Sequence, residues 1–359
     1  MRRLAAVVLL SLVLLVAVAL PVGAVGAVGV FGPPVTVVSS PCSFIFATAD
    51  AALGADGLTR GFVTYNGSGC DFEIWYFQGS GSAWTRQLSP YRGVVLGVAV
   101  DGQDTYLLYA ANDGVRITKR TSAGFTPGRR LSSFGLGGAV MPQGDVLAAG
   151  GSWWAVWSEP VGPGGEFAQL DLFQAKTYGA DLGRQQITFD PLWDTAPSLA
   201  RRPGGGAVLA WERNDGPRGE ASDIRIATSA DGAWSSRAFA TAGNLNTQPD
   251  VFTSGSTTLV AWLRDGRAVA ADNSSGVFAS HTFLTPAEFH PRVAASLGHV
   301  FVTWTTPDER TFLAERVGGA WTGSYLSDPP RPGLAVTARA GKATVLMLSS
   351  LRLFARTQS

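Results

Sequence analysis

The chain is expected to be an all-β, seven-bladed propeller of four-stranded antiparallel blades, and three features of the sequence predict this. A short apolar strand ending in an aromatic recurs: FVTY to Tyr65, YLLY to Tyr109, WAVW to Trp157, VLAW to Trp211, LVAW to Trp262 and FVTW to Trp304. The spacings of 44, 48, 54, 51 and 42 residues are those of a propeller or an array built from sheets. The 44 Gly and 20 Pro are scattered between apolar runs, which suits many tight turns, and no sustained helical period follows residue 32.

The first 27 residues stand apart. Arg2 and Arg3 precede an apolar run from Leu4 to Leu20, then Pro21 and the small residues Val22, Gly23 and Ala24. These are the parts of a secretory signal peptide, with cleavage expected near Ala24 or Ala27 and a mature chain of residues 28–359. The alternative is an uncleaved membrane anchor, since the run is near the lower length limit for a span. No other segment is apolar enough to cross a membrane, so the mature chain is expected to be secreted or extracytoplasmic. In an oxidising compartment the only two cysteines, Cys42 and Cys70, are expected to pair, with two unpaired thiols as the alternative.

The fourth copy divides most clearly: Pro197 to Pro203, Ala207 to Trp211, Asp223 to Ser229, a turn at Ala230 to Ala233, and Trp234 to Thr241. The earlier copies run through Phe44, Tyr65, Trp75 and Trp84, then Val95, Tyr109, Ile117 and Phe125, then Val146, Trp157, Leu172 and Ile187. The fifth uses Pro249, Val260 to Trp262, Arg267 to Asp272 and Val277 to Thr285; the sixth uses Pro291, Phe301 to Trp304, Thr311 to Val317 and Trp321 to Ser327. Leu334 to Ala340, Ala343 to Ser349 and Leu351 to Thr357 then supply three strands without a fourth. The Val-Thr-Val-Val run within Pro34 to Ser39 is assigned to no copy, and it would close the ring by completing the last blade. Six blades with a C-terminal ribbon is the competing count. A second strand covered on both faces explains the recurring aromatics as core.

Ser229-Ala230-Asp231-Gly232-Ala233-Trp234 resembles a shortened Asp-box, the turn between third and fourth strands in bacterial sialidase-like (BNR-repeat) propellers. Other blades keep its tail, as in Gly319-Ala320-Trp321. The resemblance implies the fold, with the box structural and remote from any active face. It also implies, for an enzyme of that kind, three arginines on a substrate carboxylate, a Tyr with a Glu, an acid/base Asp and an Arg-Ile-Pro start. No Arg-Ile-Pro occurs, because Arg116-Ile117 and Arg225-Ile226 are each followed by another residue.

The charge balance is close to neutral at +1, with three lysines and no basic run, which argues against nucleic acid. His281, His290 and His299 lack metal-ligand spacing, so no metal or cofactor is expected. No Gly-x-Ser-x-Gly elbow is present. Function is expected on the rim carrying the fourth-to-first and second-to-third loops of blades four to six. Trp193, Asp194, Asn246, Asp250, Glu288, His290, Arg292 and Arg310 are the candidate ligand-binding residues there. The expected role is a monomeric binding or scaffold module for a glycan or an extracellular protein. A sialidase-like glycoside hydrolase and a structural part of an envelope assembly are the alternatives.

Overall fold

The computed structural model describes residues 29–39, 43–137, 140–162, 168–179, 181–202, 204–215, 221–240, 245–327, 331–349 and 352–359, with backbone only for 43–47 and His290. Residues 1–28, where a signal peptide is expected, and Cys42 lie outside the described residues. Among the described residues the chain forms strands and turns without an α-helix, so no helix there is long and apolar enough to cross a membrane.

Strand β1 (Val35–Ser39) precedes six complete or nearly complete blades. Blade 1 is β2 (Ser43–Leu53), β3 (Thr59–Ser68), β4 (Cys70–Ser80) and β5 (Ala83–Arg92); blade 2 is β6 (Val94–Asp101), β7 (Asp104–Ala111), β8 (Gly114–Thr121), β9 (Gly124–Phe125) and β10 (Arg129–Arg130). Blade 3 is β11 (Gly144–Ala149), β12 (Ser152–Val161), β13 (Gln169–Lys176) and β14 (Leu182–Gln186); blade 4 is β15 (Trp193–Arg201), β16 (Ala207–Asn214), β17 (Ser222–Ser229) and β18 (Ser235–Ala240). Blade 5 is β19 (Asn246–Ser254), β20 (Thr257–Arg264), β21 (Arg267–Asp272) and β22 (Ala279–Pro286); blade 6 is β23 (Phe289–Ser296), β24 (His299–Thr305), β25 (Thr311–Val317) and β26 (Ala320–Tyr325). Strands β27 (Gly333–Arg339), β28 (Lys342–Ser349) and β29 (Arg352–Thr357) form the seventh blade together with β1, in the order β1-β29-β28-β27. The seven first strands adjoin one another around the axis, β27 next to β2. The ring therefore has seven blades and closes through the N-terminal strand.

Closure is both apolar and polar. Val38 sits opposite Leu353, and Val37 and Val38 pack with Val63, Tyr65, Phe77 and Leu346 between the last blade and the first. Arg356 Nε donates to the Gly32 carbonyl at 2.9 Å, and the Ser359 amide to the Val30 carbonyl at 2.8 Å. Residues 30–32 and the last residue are thereby fixed to one sheet.

The recurring aromatics Tyr65, Tyr109, Trp157, Trp211, Trp262 and Trp304 are all buried. A buried indole N–H needs an acceptor, because leaving it unpaired costs about 1–3 kcal/mol. Glu159 accepts from Trp157 Nε1 at 2.7 Å, Asp194 from Trp211 at 2.6 Å, Asn246 from Trp262 at 3.0 Å and the Pro286 carbonyl from Trp304 at 3.1 Å.

The Ser229–Trp234 turn locks two blades together. Gly232 N donates to Ser229 Oγ at 2.8 Å and Ala233 N to Asp231 Oδ1 at 3.1 Å, which fixes the turn. Trp234 then lies against Trp154 of blade 3 with ring centroids 5.1 Å apart, and both indoles donate to Gln174 Oε1 at 3.0 Å. The Lys176 ammonium donates to the Asp231 carbonyl and rests 4.4 Å from the Trp154 ring centroid.

Three details depart from the sequence reading. Pro197, Pro249 and Pro291 fall inside β15, β19 and β23 instead of starting them, and each sits in a register irregularity. Proline has no N–H to offer a ladder, so it is accommodated where the ladder is already broken. The fourth strand of blade 2 is divided into β9 and β10 around Pro127, and the fourth strand of blade 3 ends at Gln186, just before Ile187.

Removing residues 29–39 should expose the outer edge of β29 and uncover the Val37 and Val38 contacts. We expect the truncated protein to aggregate or to unfold with reduced cooperativity, measured by calorimetry and light scattering. Unchanged melting of a monomeric truncated protein would contradict this role of β1.

Candidate functional site

The inner edge of each first strand faces the propeller axis without a strand partner, so its amides need acceptors from elsewhere. Side chains from the preceding blade supply them. Val98 N donates to Asp50 Oδ2 at 2.7 Å, Leu199 N to Asp145 Oδ2 at 2.7 Å, Val251 N to Ser198 Oγ at 3.0 Å and Val293 N to Asp250 Oδ2 at 2.7 Å. Between blades 6 and 7 the direction reverses, with Arg292 Nε donating to the Leu334 carbonyl at 3.2 Å. In blade 2 the matching position is Gly97, where an added Cβ would come within 2.7 Å of the Asp145 Cα.

Local backbone geometry points these side chains inward. A register irregularity lies just before Ser198, Asp250 and Arg292, and Ala196 and Gln248 within it have φ of 47° and 53°. A bulge of this kind bends the strand and redirects the next side chain. The strained amides are held across blades, Ala196 N on Gln143 Oε1 at 2.7 Å and Gln248 N on Glu212 Oε2 at 3.2 Å.

The result is a ring at mid-height of the axis. Ser198 Oγ lies 3.4 Å from Asp145 Oδ2 and 3.3 Å from Asp250 Oδ1, while Arg292 Nη1 is 3.5 Å from Asp250 Oδ1. Burial pushes the Asp50 carboxyl up to about 6, against the opposing pull of Arg292. Burial also raises Asp145 well above the ordinary range, aided by the neighbouring charge of Asp50, and it raises Asp250 despite Arg292. Beyond the ring, a cavity of about 410 Å³ is lined by the downstream halves of the first strands and reaches their ends at Leu53, Arg201 and Thr253. It occupies the half of the axis nearer the first-to-second turns.

Of the residues singled out in the sequence, Asp250 and Arg292 meet in this ring. Asp194 lies beneath the rim, fully buried between Trp211 and Arg213, whose Nε is 2.8 Å away. Asn246 is equally buried and receives both Trp262 and Arg264 Nε, the latter at 3.2 Å. Both serve as indole acceptors. Trp193 is half-buried at the start of β15, and Glu288 is exposed with its amide on the Thr305 carbonyl at 2.8 Å. Arg310 pairs with Asp308 at 2.6 Å and covers the Tyr325 ring at 3.8 Å. The His290 side chain lies outside the described residues. Of the other rim arginines, Arg213 also pairs with Asp190 at 2.5 Å, and Arg331 covers Phe354 at 4.2 Å.

Sequence reasoning missed Asp50, Asp145 and Ser198. A signal for one of them was present, since Ser198, Asp250 and Arg292 each follow a proline in the bulge. It also missed a set of exposed apolar side chains. Met141, Phe189, Leu192, Leu245 and Phe289 all lie in or beside fourth-to-first connections of consecutive blades, and Phe189 is 76 % exposed. Large apolar residues in a Pro- and Asp-containing loop, as in Phe189-Asp190-Pro191-Leu192-Trp193, were the legible sign.

No protein-family profile and no curated protein sequence matches the chain. Solved structures do. A catalytically inactive virginiamycin B lyase from Staphylococcus aureus with quinupristin aligns at a TM-score of 0.60 with 10% identity, covering 90% of this chain and 99% of that one. The Aleuria aurantia lectin in complex with Fucα1-6GlcNAc aligns at 0.53 with 12% identity, covering 80% and 97%. A Trypanosoma rangeli sialidase in complex with the inhibitor DANA aligns at 0.50 with 13% identity, covering 88% of this chain and 55% of that one. What they share with this chain is the fold.

The ring makes stability pH-dependent. Asp50 has a folded value above its unfolded one, so its contribution is fully present below the ordinary carboxylate value of 3.8 and is lost as pH rises through about 6. Asp50→Asn keeps an acceptor for Val98 N and removes the charge. We expect the melting temperature of this variant, relative to the unmodified protein, to increase across that interval and then level off. A difference independent of pH would refute the assignment.

Proposed function

We propose that the protein is an exported binding module that docks an extracellular protein on the rim around the first-strand starts of blades 3 to 6. The observation carrying this reading is the run of exposed apolar side chains, Met141, Phe189, Leu192, Leu245 and Phe289, on adjacent connections. Soluble monomers seldom keep large apolar side chains grouped on one surface unless something covers them. Half-buried Trp193 and Arg310 and exposed Glu288 at the same end would form the polar and aromatic surroundings of such an interface. The likeness to propellers that bind glycans or act on them supports the scaffold and not a particular ligand.

Replacing Phe189 and Leu245 together by Ser should leave the fold intact and weaken partner capture at least roughly tenfold, as expected for loss of apolar anchors at an interface. The partner is to be isolated by crosslinking on producing cells and its binding to both forms measured by biolayer interferometry. Retained affinity overturns the rim assignment. Turnover of a fluorogenic sialoside that Arg292→Ala abolishes would instead support the hydrolase reading.

Export is part of the proposal. Intact mass of protein from the medium should lack the first 24 to 27 residues, and thiol titration of the unfolded, oxidised protein should find Cys42 and Cys70 bridged. Such a bridge would close a loop across the first blade and add about 3–4 kcal/mol. Full-length protein confined to membranes, or two titratable thiols, would count against each point separately.

A further inference from the structure

The axial cavity faces the opposite end of the molecule from the rim, and its construction is unlike an ordinary void. Its walls are mixed, with Leu53, Val100, Leu147 and Phe252 beside Thr253, Thr337 and Arg201, and its inner end is the polar ring. The volume of about 410 Å³ falls within the range of about 300–1,000 Å³ typical of small-molecule sites. From the ring at Asp50 to Leu53, or from Ser198 to Arg201, the wall is three residues of extended strand, roughly 10 Å deep.

The ring is unbalanced in charge. Asp50, Asp145 and Asp250 converge on one guanidinium, that of Arg292, leaving two carboxylates more than positive groups within it. Arg201 is exposed at the far end of the cavity. Like charges held this close repel one another, so the excess favours bound protons or a cation that enters. A metal ion is poorly served, because among the described residues no three His, Cys, Asp or Glu side chains are placed to hold one. A charged N–H donor on an apolar stem suits both parts of the cavity, since it can donate to one carboxylate and meet the charge of the others at longer range while its stem covers the apolar part of the wall.

We propose that the axial cavity binds an organic ammonium group on an apolar stem, the ammonium at the Asp50, Asp145 and Asp250 ring and the stem along the first strands. Asp250 and Arg292 thereby belong to an axial site distinct from the rim interface, and the two proposals stand or fall separately.

The test is calorimetric titration of the intact mature protein with hexylammonium near neutral pH, alongside hexanol and hexanoate. Hexylammonium is expected to bind, with proton release in buffers of different ionisation enthalpy, and the two uncharged or anionic analogues to bind at least roughly tenfold more weakly. Asp50→Asn and Asp250→Asn, which keep acceptors for Val98 and Val293, should each weaken hexylammonium by about the same factor. A short peptide with one lysine separates the sources: binding comparable to hexylammonium indicates a protein side chain, and weaker binding a free amine. Equal binding of hexanol and hexylammonium would show an apolar cavity only. No binding of hexylammonium, with the ring titrating as protons alone, would also overturn the proposal. The wild-type comparison of the three probes decides the matter even where a variant fails to fold.

Discussion

Everything in this molecule depends on how each blade's inner strand satisfies the backbone edge that faces the axis. Blades are held to their neighbours by side-chain packing, which has little directional preference, so a ring of seven similar sheets needs something to fix their rotation. Amides bonded to Asp50, Asp145, Ser198 and Asp250 do this at four of the seven junctions, each at 2.7 to 3.0 Å. The same bonds draw carboxylates together at the axis. The axial site is thus a by-product of the way the ring is stitched.

Farther from the axis the linkage is aromatic. Trp157, Trp211 and Trp262 fill the gaps between sheets, and their indole N–H groups fix the position of Glu159, Asp194 and Asn246. The locked turn at Ser229–Trp234 adds a second connection, in which Gln174 serves two indoles from different blades. These contacts occupy polar residues that by type alone would suit a binding site. Among the described residues accessible on the rim are the apolar side chains of Phe189, Leu245 and Phe289. The two ends of the axis therefore differ: exposed apolar side chains sit among polar ones where the first strands begin, and a cavity with an acidic inner end lies where they finish.

The arginines show how little residue type says about role here. Arg213 neutralises Asp194 and Asp190, Arg310 and Arg331 cover aromatic rings, and Arg292 alone among these four reaches the axial ring. Each is held by a partner close in its own region of the fold. A carboxylate-binding cluster would require several of them to be free of such partners at one point in space.

The sequence by itself determined the repeat and the closing strand. Periodic apolar strands ending in Tyr or Trp specify a two-sided burial that only stacked sheets provide, and the unassigned Val-Thr-Val-Val run specifies the missing edge. It also located the loops, because Gly and Pro must fall where the chain turns. It could not place Asp194 and Asn246 under the rim, since their burial depends on an indole arriving from the next strand. Nor could it bring Asp50, Asp145, Ser198, Asp250 and Arg292 together, because they come from five blades spread over 243 positions of chain. Their meeting was decided by ring closure and by bulges that turn each side chain inward, and those are properties of the assembled sheet and not of any local stretch.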